Sequence, residues 1–182
     1  MTRCSDLASL DRLAGRKEDE NWRFREFLKG CAIDGAEIDR IVHELYRQEL
    51  AQFDCKTCAN CCKGLSPKLG AEDVERLSKG TGISVDQLAA EYVVKDEEYG
   101  GLRFSKSPCA FLKDDICTCY ESRPADCASY PHLHKGRFTS RLANMVANCS
   151  VCPIVFNVFE RLKDEMKPHG WNRHTSGRGR NR

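Results

Sequence analysis

Four cysteines fall within eight residues in "CKTCANCCK", at Cys55, Cys58, Cys61 and Cys62. Packing does not require that density, because an unmodified cysteine acts as a small hydrophobe and its reactivity usually decides why it is present. The 182-residue chain has twelve cysteines in all. Cys109, Cys117, Cys119 and Cys127 form a second group, Cys149 and Cys152 a pair, while Cys4 and Cys31 stand apart in helical context and read as lone thiols. A C-x-x-C pair lets two thiolates reach one metal from a tight turn, and zinc sites close with four such ligands. Cys55, Cys58 and Cys61 instead place three thiols in one loop. Bacterial ferredoxins space their first three ligands in the same way, although zinc uses such loops too. The spacing predicts that these three thiolates share one centre. Cys62, adjacent to Cys61, is expected to point elsewhere, serving a second site or packing beside the first. Histidine is scarce nearby, since only His132 and His134 fall close and both read as surface or hairpin-end residues. A mainly thiolate donor set suits iron–sulfur or zinc, because soft ligands select those metals.

The compartment follows from the same cysteines. The N-terminal "MTRCSDLASLDRLAGRKEDE" has no apolar core of a signal peptide. A disulfide framework belongs to secreted chains, whereas this density in a reducing compartment more often means metal. No run approaches the roughly 18 apolar residues of a membrane span. The expectation is therefore a cytoplasmic protein with no membrane segment. A net charge of only +2 sets up no global field that would draw the chain to nucleic acid.

Helices must carry these thiols. Residues 35–53 repeat Ile38, Ile41, Val42, Leu45, Tyr46, Leu50 and Phe53 at helical spacing, with Arg40, Glu44 and Arg47 on the opposite side. Residues 5–29 read as a helix, and Gly30 and Gly35 punctuate the join. After Lys63 the chain reads helix, Gly-rich turn, helix, with Val74 and Leu77 inward from the first and Leu88, Tyr92 and Val93 from the second. A DNA-reading helix pair is disfavoured, because Asp86, Glu91 and "DEE" at 96–98 would repel phosphates. "CAFL" and "ICTCY" flanking "KDD" predict a small hairpin, and Pro124 suits the start of a short helix carrying Cys127. A last helix over 153–166 turns Val155, Phe156, Val158, Phe159 and Leu162 inward. The fold class is mainly α, a single domain with a small irregular, β-hairpin, cysteine-rich metal-binding region. Its expected parts are N-terminal helices at 1–52, a cysteine-cluster domain at 53–166, and a disordered basic tail at 167–182.

"CKTCANCCK" followed by "PCAFLKDDICTCYESRPADCASYP" resembles the YkgJ-type cysteine-cluster family, also known as the CxxCxxCC zinc- or iron-chelating domain. Cys55, Cys58, Cys61 and Cys62 match its first block, and Cys109 with Phe111 and Leu112 its second. Cys117, Tyr120, Arg123, Pro124, Cys127, Tyr130 and Pro131 match the remainder, with Cys149 and Cys152 as a downstream pair. Ala59 replaces the family's glycine, which is tolerable if that position has negative φ. Ala128 replaces an arginine after Cys127, and Cys119 stands where the family has an aliphatic residue, so Cys119 reads as a core thiol. The resemblance leaves nine candidate ligands: Cys55, Cys58, Cys61, Cys62, Cys109, Cys117, Cys127, Cys149 and Cys152. Nine exceed what one centre needs.

The resemblance implies a metal-binding module holding an iron–sulfur cluster of the 4Fe-4S type, with zinc as the alternative. Electron transfer, redox sensing or structural support of a protein partner would be its use. Relatives include a flagellin lysine methylase, so a metal-dependent protein-modifying enzyme or its accessory subunit is the alternative function. The residues give that reading little: "KGTG" at 79–82 lies between helices rather than after a strand, and no catalytic triad can be argued. Whether the chain is an enzyme, and its oligomeric state, stay open at this point.

Overall fold

Aspartates set the first two helix starts. Asp6 accepts from the Ser9 N–H and Asp34 from the Ala36 N–H, each at 2.9 Å, satisfying donors that a helix N-terminus leaves open. They begin α1 (Leu7–Gly30) and α2 (Gly35–Leu50). This computed structural model describes residues 3–98 and 100–173. In chain order there follow α3 (Cys55–Cys58), α4 (Asn60–Gly64), β1 (Lys68–Leu69), α5 (Ala71–Thr81) and α6 (Val85–Glu91). Next come β2 (Val93–Lys95), β3 (Leu102–Phe104), β4 (Leu112–Lys113), β5 (Ile116–Cys117), α7 (Ala125–Ser129), α8 (Leu142–Asn148) and α9 (Pro153–Glu165). The architecture is mainly α with small antiparallel strands, as the sequence leads one to expect. The chain divides into two compact units, one of Met1–Phe53 with Pro131–Arg182 and one of Asp54–Tyr130.

In the first unit α9 is buried almost all round, from Pro153 to Glu160 and again at Leu162 and Lys163. A helix that is covered on every side belongs to the centre of its unit. It packs on α1 and α2, with Phe24 edge-on to Phe159 at 5.3 Å. The buried stripe of α2 is Ile38, Val42, Leu45 and Glu49, while Leu50, read as apolar-facing, is 40% exposed. Glu49 is tolerated inside because it accepts from Asn157 at 3.0 Å and Arg161 at 2.9 Å. Lys163, wholly buried, is likewise paired with Glu160 and Glu20. The chain stays packed beyond Pro168, where a tail was expected. Trp171 is buried on Phe24 and Phe27 at 4.8 and 5.4 Å, and Arg173 pairs with Glu160 at 2.7 Å. The rest of the expected tail, 174–182, lies outside the described residues.

In the second unit Leu69, Val74, Leu77, Leu88, Phe104, Phe111 and Cys119 form the apolar core. Beside it lies a three-stranded antiparallel sheet in the order β1-β3-β2. Here the reading of Leu88, Tyr92 and Val93 as the inward side of one helix is corrected. The helix stops at Glu91, and Val93 and Val94 pair with Phe104 and Arg103 instead. Those two β-branched residues suit a strand, and their partner strand supplies the pairing that sequence alone could not. Gly80 on α5 makes a close approach possible. A Cβ there would meet Ser122 Oγ at 2.1 Å and Ser122 Cβ at 2.3 Å. Only glycine lets α5 lie against the 120–122 turn, which connects Cys119 to the segment carrying Cys127.

Candidate metal centre

The first cysteine block is a broken helix. Asp54 accepts from the Lys56 N–H at 2.9 Å and starts α3. Ala59 then takes φ +50°, the left-handed conformation, between α3 and α4. The condition under which alanine replaces the family's glycine without strain, a negative φ, is not met here. The second short helix must restart within one residue, and its first turn closes when the Cys62 N–H donates to Ala59 O at 3.0 Å. The Cys62 carbonyl is in turn fixed by the Cys109 N–H at 2.9 Å. Ser107 Oγ donates to Lys63 O at 3.2 Å, and Lys63 pairs with Asp115 at 2.8 Å. Three links therefore tie the first block to the segment bearing Cys109 and the hairpin after it.

The predicted hairpin is present. β4 and β5 pair antiparallel with Leu112 opposite Cys117 and Lys113 opposite Ile116. Asp114 and Asp115 form its tip at φ +49° and +60°, the backbone that a two-residue hairpin requires and that Asp tolerates. Thr118 donates both its N–H, at 2.8 Å, and its Oγ1, at 3.0 Å, to Phe111 O. The backbone between Cys117 and Cys119 is thereby held. Cys127 rides on α7, which Pro124 caps at φ −52° and ψ 150°. The Ala125 N–H donates to Asp73 Oδ1 at 2.8 Å, and Arg76 donates to Arg123 O at 3.1 Å. Asp126 accepts from the Lys68 N–H at 3.1 Å. Sequence reasoning missed Asp73 and Arg76. Asp73 lies three residues after Gly70, an N-terminal helix signal that pointed to its capping role.

The thiols sort themselves electrostatically into groups. Burial pushes Cys127 up to about 12, reinforced by the neighbouring Cys62, Cys109 and Cys117. Burial likewise raises Cys109, and Cys62 and Cys117 add to the effect. A hydrogen bond from Cys61 lowers Cys62 to about 7 against burial and the Cys117 charge. A hydrogen bond from Cys119 lowers Cys117 to about 6, with Arg123 assisting. Cys127 thus responds to Cys62, Cys109 and Cys117, Cys109 to Cys62 and Cys117, and Cys62 to Cys117, while Cys119 is raised by Cys117, Cys109 and Cys127. Cys55 responds to a partly different set of neighbours, sharing Arg123 with Cys117. Burial raises it, Cys58 raises it further, and Arg123 opposes. Cys61 Sγ lies 4.0 Å from Cys62 Sγ, and Cys117 Sγ 3.8 Å from Cys119 Sγ.

Cys149 and Cys152 lie in the first unit, at the end of α8 and the start of α9. Both are buried, and Cys149 donates to Met145 O at 3.3 Å. Desolvation raises the Cys149 thiol, partly offset by Lys163. Cys119 is buried in the apolar core, as a core thiol would be, yet it also touches Cys117. His132 and His134 sit in the first unit, His134 with its ring 6.4 Å from that of Tyr46. Tyr120 is flanked by two cations, Arg123 at 3.8 Å and Lys56 at 4.7 Å from the ring centroid.

The donor chemistry of Cys62, Cys109, Cys117 and Cys127 fits a soft metal, being four thiols in one neighbourhood. Among the described residues no three ligating side chains converge closely enough to enclose an ion as they stand, so the thiols gather without closing a coordination sphere. Residues 54–153, more than half of the 182-residue chain, match the sequence model of the CxxCxxCC family, described as a "putative zinc- or iron-chelating domain". The chain belongs to that family. No curated protein and no solved structure matches it. The matched span begins at Asp54, which caps α3, and ends at Pro153, the first residue of α9. It includes all nine candidate cysteines, and membership supports metal binding by this CxxCxxCC cluster. No helix among the described residues is long and apolar enough to cross a membrane.

Proposed function

We propose that this CxxCxxCC chain is a cytoplasmic metal-binding protein whose centre is held by Cys62, Cys109, Cys117 and Cys127. The observation that carries the reading is that the Cys109 N–H donates to Cys62 O at 2.9 Å, bringing the first block to the second, while Cys127 is raised by the neighbouring Cys62, Cys109 and Cys117. Bringing four thiolates together is unfavourable unless a cation joins them, and a divalent metal or cluster supplies that charge. Arg123 adds positive charge beside Cys117 from the protein side, and Tyr120 holds Arg123 by ring stacking and by its carbonyl at 2.6 Å.

The group in this reading is an iron–sulfur cluster, of the 4Fe-4S type, which when bound supplies one-electron transfer or redox sensing to a partner protein. Support comes from the all-thiolate donor set and from Cys55, Cys58 and Cys61, which leave a further three thiols in one loop. Zinc is the second reading, favoured by the self-contained set of four thiolates, which is what a structural zinc site uses. Protein purified without oxygen should be brown, contain acid-labile sulfide, and bleach on reduction with dithionite. A colourless preparation with stoichiometric zinc and no sulfide would replace iron–sulfur by zinc. Protein that takes up neither metal under reducing conditions would overturn the metal reading itself.

A further inference from the structure

One close pair of sulfurs beside the proposed centre includes a thiol that the centre does not use. Cys119 Sγ lies 3.8 Å from Cys117 Sγ, and the intervening Thr118 is held at both its N–H and its hydroxyl by Phe111 O. The two thiols differ in access. Cys117 is half-buried, whereas Cys119 is 4% exposed within the apolar core. An oxidant arriving from solvent therefore meets Cys117 first, and Cys119 waits behind it. A disulfide needs the sulfurs to close to about 2.05 Å, a shift that side-chain rotation of two neighbouring cysteines can supply.

We propose that Cys117 and Cys119 form a reversible disulfide that withdraws Cys117 from the metal centre, so that oxidation unloads the protein. The oxidant is hydrogen peroxide. The Cys117 thiolate attacks one peroxide oxygen, giving the sulfenic acid and hydroxide. The Cys119 thiol then attacks the Cys117 sulfur, the S–O bond breaks, and water leaves with the Cys119 proton. Two thiols are oxidised by two electrons and the peroxide is reduced to water. The metal-unloading half rests on the four-thiolate reading above, because a sulfur in a disulfide is no longer a thiolate ligand. The dithiol half stands on the geometry alone. Cys61 and Cys62, at 4.0 Å, are the competing pair, but they are adjacent in sequence and have only the intervening peptide to accommodate a ring.

The test treats the full chain, metal-free and metal-loaded, with hydrogen peroxide, blocks remaining thiols by alkylation, and maps peptides by mass spectrometry. The expected product is a Cys117–Cys119 link in the metal-free protein. In loaded protein metal is released in step with that link and returns after dithiothreitol and fresh metal. Cys119→Val should lose metal to peroxide without recovery in dithiothreitol, because Cys117 proceeds past the sulfenic acid. Cys119→Ser repeats the test should valine disturb the core. Linkage through Cys61–Cys62, or no linkage in the metal-free wild type, would overturn the proposal. If the protein takes up no metal, mapping the metal-free chain still decides the dithiol, so the two failures are separable.

Discussion

Ala59 occupies a left-handed backbone position that glycine ordinarily takes. A Cβ there costs about 1–2 kcal/mol in local strain, and only the surrounding bonds of α4 hold it. Glycine would remove that strain while adding about 0.5–1 kcal/mol of unfolded-state freedom to be lost on folding. Ala59→Gly should therefore stabilise the reduced, metal-free protein by about 0.5–1 kcal/mol, read as a higher urea midpoint with unchanged slope. A lower midpoint would contradict the left-handed assignment. Nothing in "TCANC" reveals the sign of φ, because alanine is an ordinary helical residue. The sign is decided by where α4 must point, and that depends on the Cys109 N–H reaching Cys62 O across a long stretch of sequence.

Among the elements, α7 owes its position to α5. Burial opposes ionisation of Asp73, but the N–H groups of Gly70 and Ala125 and the Arg76 guanidinium outweigh it and hold the carboxyl below its usual range. A carboxyl with a depressed folded pKa contributes stability above its unfolded pKa and loses it as pH falls through the folded one. Asp73→Ala should cost about 1–2 kcal/mol near neutral pH in the reduced, metal-free chain. The gap to wild type should shrink as acid protonates Asp73, as followed by urea unfolding at several pH values. A gap independent of pH would show that the carboxylate charge does not tie α7 to α5. The long α9 and the hairpin were legible because their signals are local: a continuous helical run in one case, a turn of two aspartates in the other. β2 was not, since Val93–Lys95 is a strand only through β3. Nor was α8, whose seven residues are too short to show a period.

Across the whole molecule, cysteine spacing disclosed the family but not how the thiols sort. Spacing groups Cys55, Cys58 and Cys61, neighbours along the chain, whereas in the fold the Cys109 N–H reaches Cys62 O, and Cys62, Cys109 and Cys117 all raise the Cys127 thiol. That sorting requires the hairpin, α7 and the link from Cys109 to Cys62, all of them tertiary. The tail was likewise opaque, since Trp171 gains its place only from Phe24 and Phe27 far earlier in the chain. The most direct test is the metal content of anaerobically prepared single serine variants, measured by plasma mass spectrometry, with circular dichroism to verify the fold. Cys62→Ser, Cys109→Ser, Cys117→Ser and Cys127→Ser should each lose metal, while Cys31→Ser keeps the wild-type amount. Wild-type metal content in all four would contradict the four-thiolate centre.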